Sequence, residues 1–326
     1  MVVLLETNDT TCEKKINPGY RRNARFLLKK STKGAITRGR QGPARKRFSI
    51  GWLDVFFLTL ELKNDASRHT PVSAYITIDS ARIRFTTIDG RKNKPVLVYL
   101  HEGLGCVEMW KDFPQLLCSR SQCPGLLYDR QGFGQSSPLS RERDLNYVHD
   151  YARRELAKLI DKLLGDRPFI LVGHSDGASI ALIYGAADRP GLRGIISEAA
   201  HVFVEEKTIA GIRAADQEYE RLGPKGLTKY HGKKTPAVFK GWSAVWLSTR
   251  FRSWNIEALL PAIHCPVLAL QGADDGYGTM EQIASIVSHV SGTVEPAILA
   301  NCGHTPHRQC PDTALPLMEH FINRIA

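Results

Sequence analysis

From about residue 74 the chain alternates between two hydrophobic rhythms. AYITI (74–78) and RIRFTTI (82–88) flank a short Asp79-Ser80 turn, the pattern of an antiparallel hairpin. VLVYL (96–100), GLLYD (125–129), FILVG (169–173), GIISEA (194–199), PVLALQG (266–272) and VEPAILA (294–300) are apolar runs of strand length. Runs apolar on both faces suit a parallel sheet covered on both sides. Between them lie helical periods. HDYARRELAKLIDKLLG (149–165) puts Tyr151, Leu156, Leu159, Ile160 and Leu163 on one stripe, and 279–290 and 312–326 behave alike. Strand–helix alternation predicts an α/β fold with a mostly parallel sheet and helices on both faces.

Two stretches break the rhythm. Residues 201–262 are helical in part (EKTIAGIRAADQEYERLG), then rich in Lys, Gly and aromatics, with Trp242, Trp246 and Trp254. An ordered insertion of this length between core strands is usually functional, so a helical cap is expected over 201–262. The core then comprises 71–200 and 263–326. Phe239, Trp242, Trp246 and Trp254 are candidates to line a substrate pocket, the alternative being the cap's own core. Residues 1–70 show little periodicity up to about Phe48, and a basic, disordered N-terminal extension is expected there.

Charge sharpens that division. The formal net charge is +11, yet residues 1–70 hold 15 Lys plus Arg against 6 Asp plus Glu, and the remaining 256 residues hold 29 against 27. The basic character belongs to the first segment, and no nucleic-acid partner is expected. Mitochondrial targeting is an alternative for that segment, opposed by Glu6, Asp9 and Glu13 at its start. The first residues lack a secretory-signal pattern. The longest apolar stretch, Ile50 to Leu62, is too short to span a bilayer and carries Asp54. Seven scattered cysteines without a CxxC pair point to reduced thiols and a cytoplasmic location.

The candidate chemistry begins where the run FILVG ends. Gly173-His174-Ser175-Asp176-Gly177 is a G-x-S-x-G between a strand and a helix, the context of a nucleophile elbow. A hydroxyl is a poor nucleophile near neutral pH and needs a histidine base oriented by a carboxylate. Downstream, Asp274-Asp275 follows one strand and His304 another, each at the strand's C-terminal end, where α/β sites are built. The proposed order is Ser175, Asp275, His304. Asp275 is preferred to Asp274 because it lies further past the strand end, and Glu198 is a third candidate acid. His307, three residues on, is a second histidine able to approach. The loop His101-Glu102-Gly103-Leu104-Gly105 follows VLVYL, and the Gly103 or Leu104 amide, with that of Asp176, is expected to hold an oxyanion. His101 reads as a structural histidine bonded to the loop backbone.

These segments, HEGLG, YDRQGFGQSS (128–137), GHSDG, GADD and CGH, occur in an order that resembles the α/β-hydrolase superfamily over roughly 74–326. The resemblance implies Asp275 as the acid, His304 as the base and a structural role for 129–136. Asp176 stands where many members carry an apolar or amide residue, so its carboxylate is expected to be tied up by hydrogen bonds. Serine at the elbow centre sets aside the members that use aspartate there. The resemblance implies a capped serine hydrolase of a small carboxylic ester or thioester, needing no cofactor or metal. A carbon–carbon bond hydrolase or a non-catalytic small-ligand-binding protein is the alternative.

Overall fold

The computed structural model describes residues 3–5, 72–224 and 226–326. Among the described residues, nine strands form one sheet in the order β1-β9-β8-β7-β6-β4-β5-β3-β2. The strands are β1 (Val3–Leu5), β2 (Val72–Ile78), β3 (Ala81–Ile88), β4 (Val96–Leu100), β5 (Gly125–Tyr128), β6 (Phe169–His174), β7 (Leu192–Glu198), β8 (Val267–Gly272) and β9 (Val294–Leu299). β2 and β3 are the expected antiparallel hairpin, β3 runs antiparallel to β5, and the other pairs are parallel. The expectation of disorder over 1–70 falls outside the described residues except at Val3–Leu5. There it is corrected: these residues pair in parallel with Ala297–Leu299. The apolar run Val3–Leu5 supplies a strand to the edge of β9, answering N–H and C=O groups that an open edge would leave without partners.

The central strands are buried on both faces because successive side chains point opposite ways. Val96, Val98 and Leu100 of β4 join Phe169 and Leu171 of β6 in one core cluster. Leu97 and Tyr99 join Ile170 and Val172 in the other. The second cluster is closed by α1 (Phe113–Ser121) and the last helix (Pro311–Ile325). The first is closed by a helical run of α2 (Tyr147–Asp150), a wider π-helical segment (Tyr151–Leu156) and α3 (Ala157–Leu163), together with α4 (Asp176–Gly185).

Between β7 and β8 the chain forms α5 (Glu206–Leu222), α6 (Thr228–His231) and α7 (Thr235–Leu247). α5 and α7 meet through the Tyr219 and Phe239 rings, stacked with centroids 3.9 Å apart. Asp216 accepts hydrogen bonds from Ser243 and Lys240 across the same pair. α8 (Glu281–His289), α9 (Pro306–Gln309) and α10 (Pro311–Ile325) follow. No helix among the described residues is long and apolar enough to cross a membrane.

Candidate active site

The site is built where β6 turns into α4. Ser175 has φ 53° and ψ −119°, a left-handed backbone that a residue with a side chain adopts only under tertiary constraint. The turn is possible because both flanking positions lack a Cβ. One at Gly173 would lie 2.4 Å from the Gly177 carbonyl oxygen, and one at Gly177 would lie 1.9 Å from the Leu100 carbonyl oxygen. The Ser175 amide donates to the Glu198 carbonyl at 2.9 Å, tying the elbow to the end of β7.

Loops after β8 and β9 bring two side chains to this serine. His304 Nε2 lies 2.9 Å from Ser175 Oγ, and its Nδ1 lies 2.8 and 2.9 Å from the two Asp275 carboxylate oxygens. With Nδ1–H donating to the carboxylate, Nε2 carries the lone pair that accepts from the serine hydroxyl. Asp275 is buried. Burial alone would raise its carboxyl, but the His304 hydrogen bond and the Tyr277 amide hold it below the ordinary carboxylate value. Asp274 is exposed, and its amide merely donates to the Cys302 carbonyl.

Glu198 and His307 form their own pair. The Glu198 carboxylate, fully buried, accepts from His307 Nδ1 at 2.7 Å and from the His307 amide at 2.6 Å. Burial pushes the Glu198 carboxyl up, and His307 outweighs it, leaving a net lowering. His174 packs against both histidines and donates from Nε2 to the His304 carbonyl at 2.7 Å, so it holds the loop that carries His304. Its Nδ1 lies 3.8 Å from Glu102. Burial would lower the His174 pKa, but Glu102 and Glu198 carry it up to about 9. Burial likewise opposes ionisation of Glu102, and His174 brings it down to about 2. The sequence patterns flagged none of these supporting pairs except as rival acids and bases, because the pairing joins residues far apart in the chain.

The HEGLG loop is held from two sides. Buried His101 accepts from the Arg130 amide at Nε2 and donates from Nδ1 to the Glu102 carbonyl, and the Arg130 guanidinium donates to the His101 and Glu102 carbonyls. That is the structural duty expected of His101. His231, at the end of α6, accepts from the Gly134 amide at 3.0 Å and donates from Nε2 to the Leu104 carbonyl at 2.9 Å. Nothing in the local sequence marks His231 as an anchor. The Gly103 and Leu104 amides donate to no protein acceptor among the described residues. Cys106, Glu108 and Asp129 cluster nearby, but Arg84 pairs with both carboxylates, and Asp129 also accepts from the Val107 and Gln135 amides. Local donors therefore already meet the charge a cation would answer.

A cavity of about 230 Å³ opens over Ser175, lined by Gly103, Leu104, Asp176, Trp242, Trp246 and His304 among others. Two of the four candidate pocket aromatics are thus present. Phe239 and Trp254 are not, and that expectation is corrected. Phe239 is consumed in its stack on Tyr219, and Trp254 stacks on Phe251 with centroids 5.4 Å apart. Asp176 Oδ2 accepts from Tyr147 Oη at 2.8 Å, and Tyr147 Oη accepts from Trp246 Nε1 at 2.7 Å.

Comparison with known proteins agrees with this architecture. The chain is 28% identical over 163 residues to protein phosphatase methylesterase 1 of Mus musculus, covering 48% of this chain and 38% of that protein. The chain therefore spans well under two thirds of that relative's length. It is 25% identical over 214 residues to a 2-succinyl-6-hydroxy-2,4-cyclohexadiene-1-carboxylate synthase of Escherichia fergusonii, covering 65% of this chain and 73% of that one. The crystal structure of a membrane phospholipase A, described as a bacterial virulence factor, superposes with a TM-score of 0.65 at 20% identity, covering 78% of this chain and 86% of that one. The profile of the alpha/beta hydrolase family matches residues 97–315. The chain belongs to the alpha/beta hydrolase family.

Proposed function

We propose that this protein is a serine hydrolase of small carboxylic esters, with Ser175, His304 and Asp275 as its catalytic residues. The observation that carries the reading is the unbroken hydrogen-bonded series from Asp275 through His304 to Ser175 Oγ. The methylesterase name of one set of relatives supports an ester as the substrate.

In this reading His304 Nε2 takes the hydroxyl proton as Ser175 Oγ bonds to the ester carbonyl carbon. The oxyanion forms against the amides of Asp176 and of Gly103 or Leu104. The Asp176 amide sits in the first turn of α4, where backbone N–H groups lack helical partners and the helix dipole favours negative charge. The C–O bond then breaks, the alcohol leaves with the proton from His304, and water attacks the acyl-serine by the same route. Asp275 keeps Nδ1 protonated and balances the imidazolium. Residues 201–262 serve as the cap: α7 contributes Trp242 and Trp246 to the cavity wall, and α6 steadies the oxyanion loop through His231.

The test is turnover of short-chain p-nitrophenyl esters, with labelling of Ser175 by a fluorophosphonate. Ser175→Ala is expected to lower kcat by at least ~10³-fold and to abolish labelling. Wild-type turnover in that variant would end the reading. Labelling of Ser175 without turnover of any ester would move the substrate towards carbon–carbon bond cleavage by the same three groups.

A further inference from the structure

The carboxylate of Asp176 is the one acidic group in the cavity wall, among the described residues, that the protein leaves half unanswered. Glu102 also lines the cavity, but His174 neutralises it. Asp275 accepts from His304 and from backbone amides. Asp176 is only 2% exposed, and the Tyr147 hydroxyl is its sole side-chain hydrogen-bond partner. That bond falls on Oδ2, and Oδ1 accepts from no protein donor among the described residues. No lysine, arginine or histidine there forms an ion pair with it. That oxygen is not sealed in the protein interior, so a donor, a cation or water in the cavity can meet it.

The surroundings show that this carboxylate is held, not stray. Tyr147 Oη and Trp246 Nε1 form a buried relay that orients Oδ2. Asp176 opens α4, so the backbone direction of that helix fixes where the carboxylate stands in the cavity wall. Gly103 leaves room beside it: a Cβ there would lie 3.2 Å from Asp176 Oδ2 and 2.6 Å from Trp242 Nε1. The Trp242 and Trp246 side chains line the same space.

We propose that Asp176 is a specificity residue that binds a protonated amine on the acyl part of the substrate, close to the carbonyl, so that the preferred esters are amino-acyl esters. The proposal rests on the serine-hydrolase reading above. It also accounts for a carboxylate placed next to a developing oxyanion. Left alone, that negative charge opposes formation of the tetrahedral intermediate. An ammonium seated against Asp176 removes the repulsion, and it does so only for substrates that carry the amine.

The experiment compares kcat/KM for the p-nitrobenzyl esters of alanine and of isobutyric acid, which differ by an ammonium in place of a methyl group. It uses the unlabelled full chain, and a separate sample is treated with fluorophosphonate to establish that Ser175 is reactive. Wild-type protein is expected to favour the alanine ester by at least ~10-fold, and Asp176→Asn to reduce that ratio by about 10- to 100-fold. The ratio within each protein is the readout, so a general loss of activity in the variant does not confound it. A wild-type ratio near one, or below one, overturns the proposal with no variant needed and leaves the hydrolase reading standing. A preference that survives in Asp176→Asn places the amine elsewhere and overturns it too. Labelling of Ser175 with turnover of neither ester rejects this substrate class. Failure of Ser175 to label at all removes the hydrolase reading, and the proposal with it.

Discussion

Asp274 and Asp275 are neighbours of identical chemistry, and one residue of register separates their fates. Asp275 turns inward to His304, while Asp274 faces solvent. Asp275→Asn should therefore lower kcat by about 10⁴-fold with the fold intact, because the histidine loses the partner that fixes its tautomer. Asp274→Asn should change kcat by less than about twofold under the same assay, since the carboxylate touches no part of the relay. Equal losses in the two variants would reverse the assignment. His304 and Ser175 were legible from motif and chain order. The second histidine, His307, was legible only as a rival, because its partner Glu198 lies 109 residues away in the chain.

At the scale of elements, every apolar run read as a strand is one, within one or two residues at the ends. The central strands β4 to β8 are legible because they are buried on both faces and so carry mostly apolar sequence, and the β2–β3 hairpin is legible from its turn and its alternation. The region between β7 and β8 was legible only as an interruption. Its helices pack on one another and on the site through contacts such as Tyr219–Phe239 and His231–Leu104, which no local period encodes. The fate of its aromatics follows from that packing. α6 is a single turn, yet its His231 joins the HEGLG loop to the Gly134 backbone. His231→Ala should lower kcat by about 10- to 100-fold with KM little changed, since a loop amide displaced by about 1 Å no longer meets the oxyanion. Steady-state kinetics on the esters above would measure it. A change confined to KM would show that His231 shapes binding instead.

Over the whole molecule the site rests on buried charge, and that ties stability to pH. His174 holds its proton more tightly in the folded protein, with a pKa of about 9, than in the unfolded chain, where histidine titrates near 6.5. Its contribution is therefore complete below about pH 6.5 and is lost as pH rises through 9. Glu102, held at about 2, acts in the opposite sense: its contribution is present above the ordinary carboxylate range and is lost as pH falls towards 2. Urea unfolding of the wild-type protein should show stability declining from pH 6.5 to 9, and His174→Gln should flatten that decline. An unchanged slope in the variant would mean that His174 is not the group responsible.

The chain by itself determined the α/β alternation, the sheet's central strands, the serine elbow and the order of serine, acid and histidine. Each is written in local periodicity, or in glycines that a tight turn requires. Only the tertiary structure decided which acid meets which histidine, that Phe239 and Trp254 turn away from the cavity, and that Asp176 keeps an unanswered oxygen inside it. Those outcomes depend on distances between residues from different strand ends. Such distances are set by how the sheet twists and how the helices pack, and neither is encoded in any short stretch of chain.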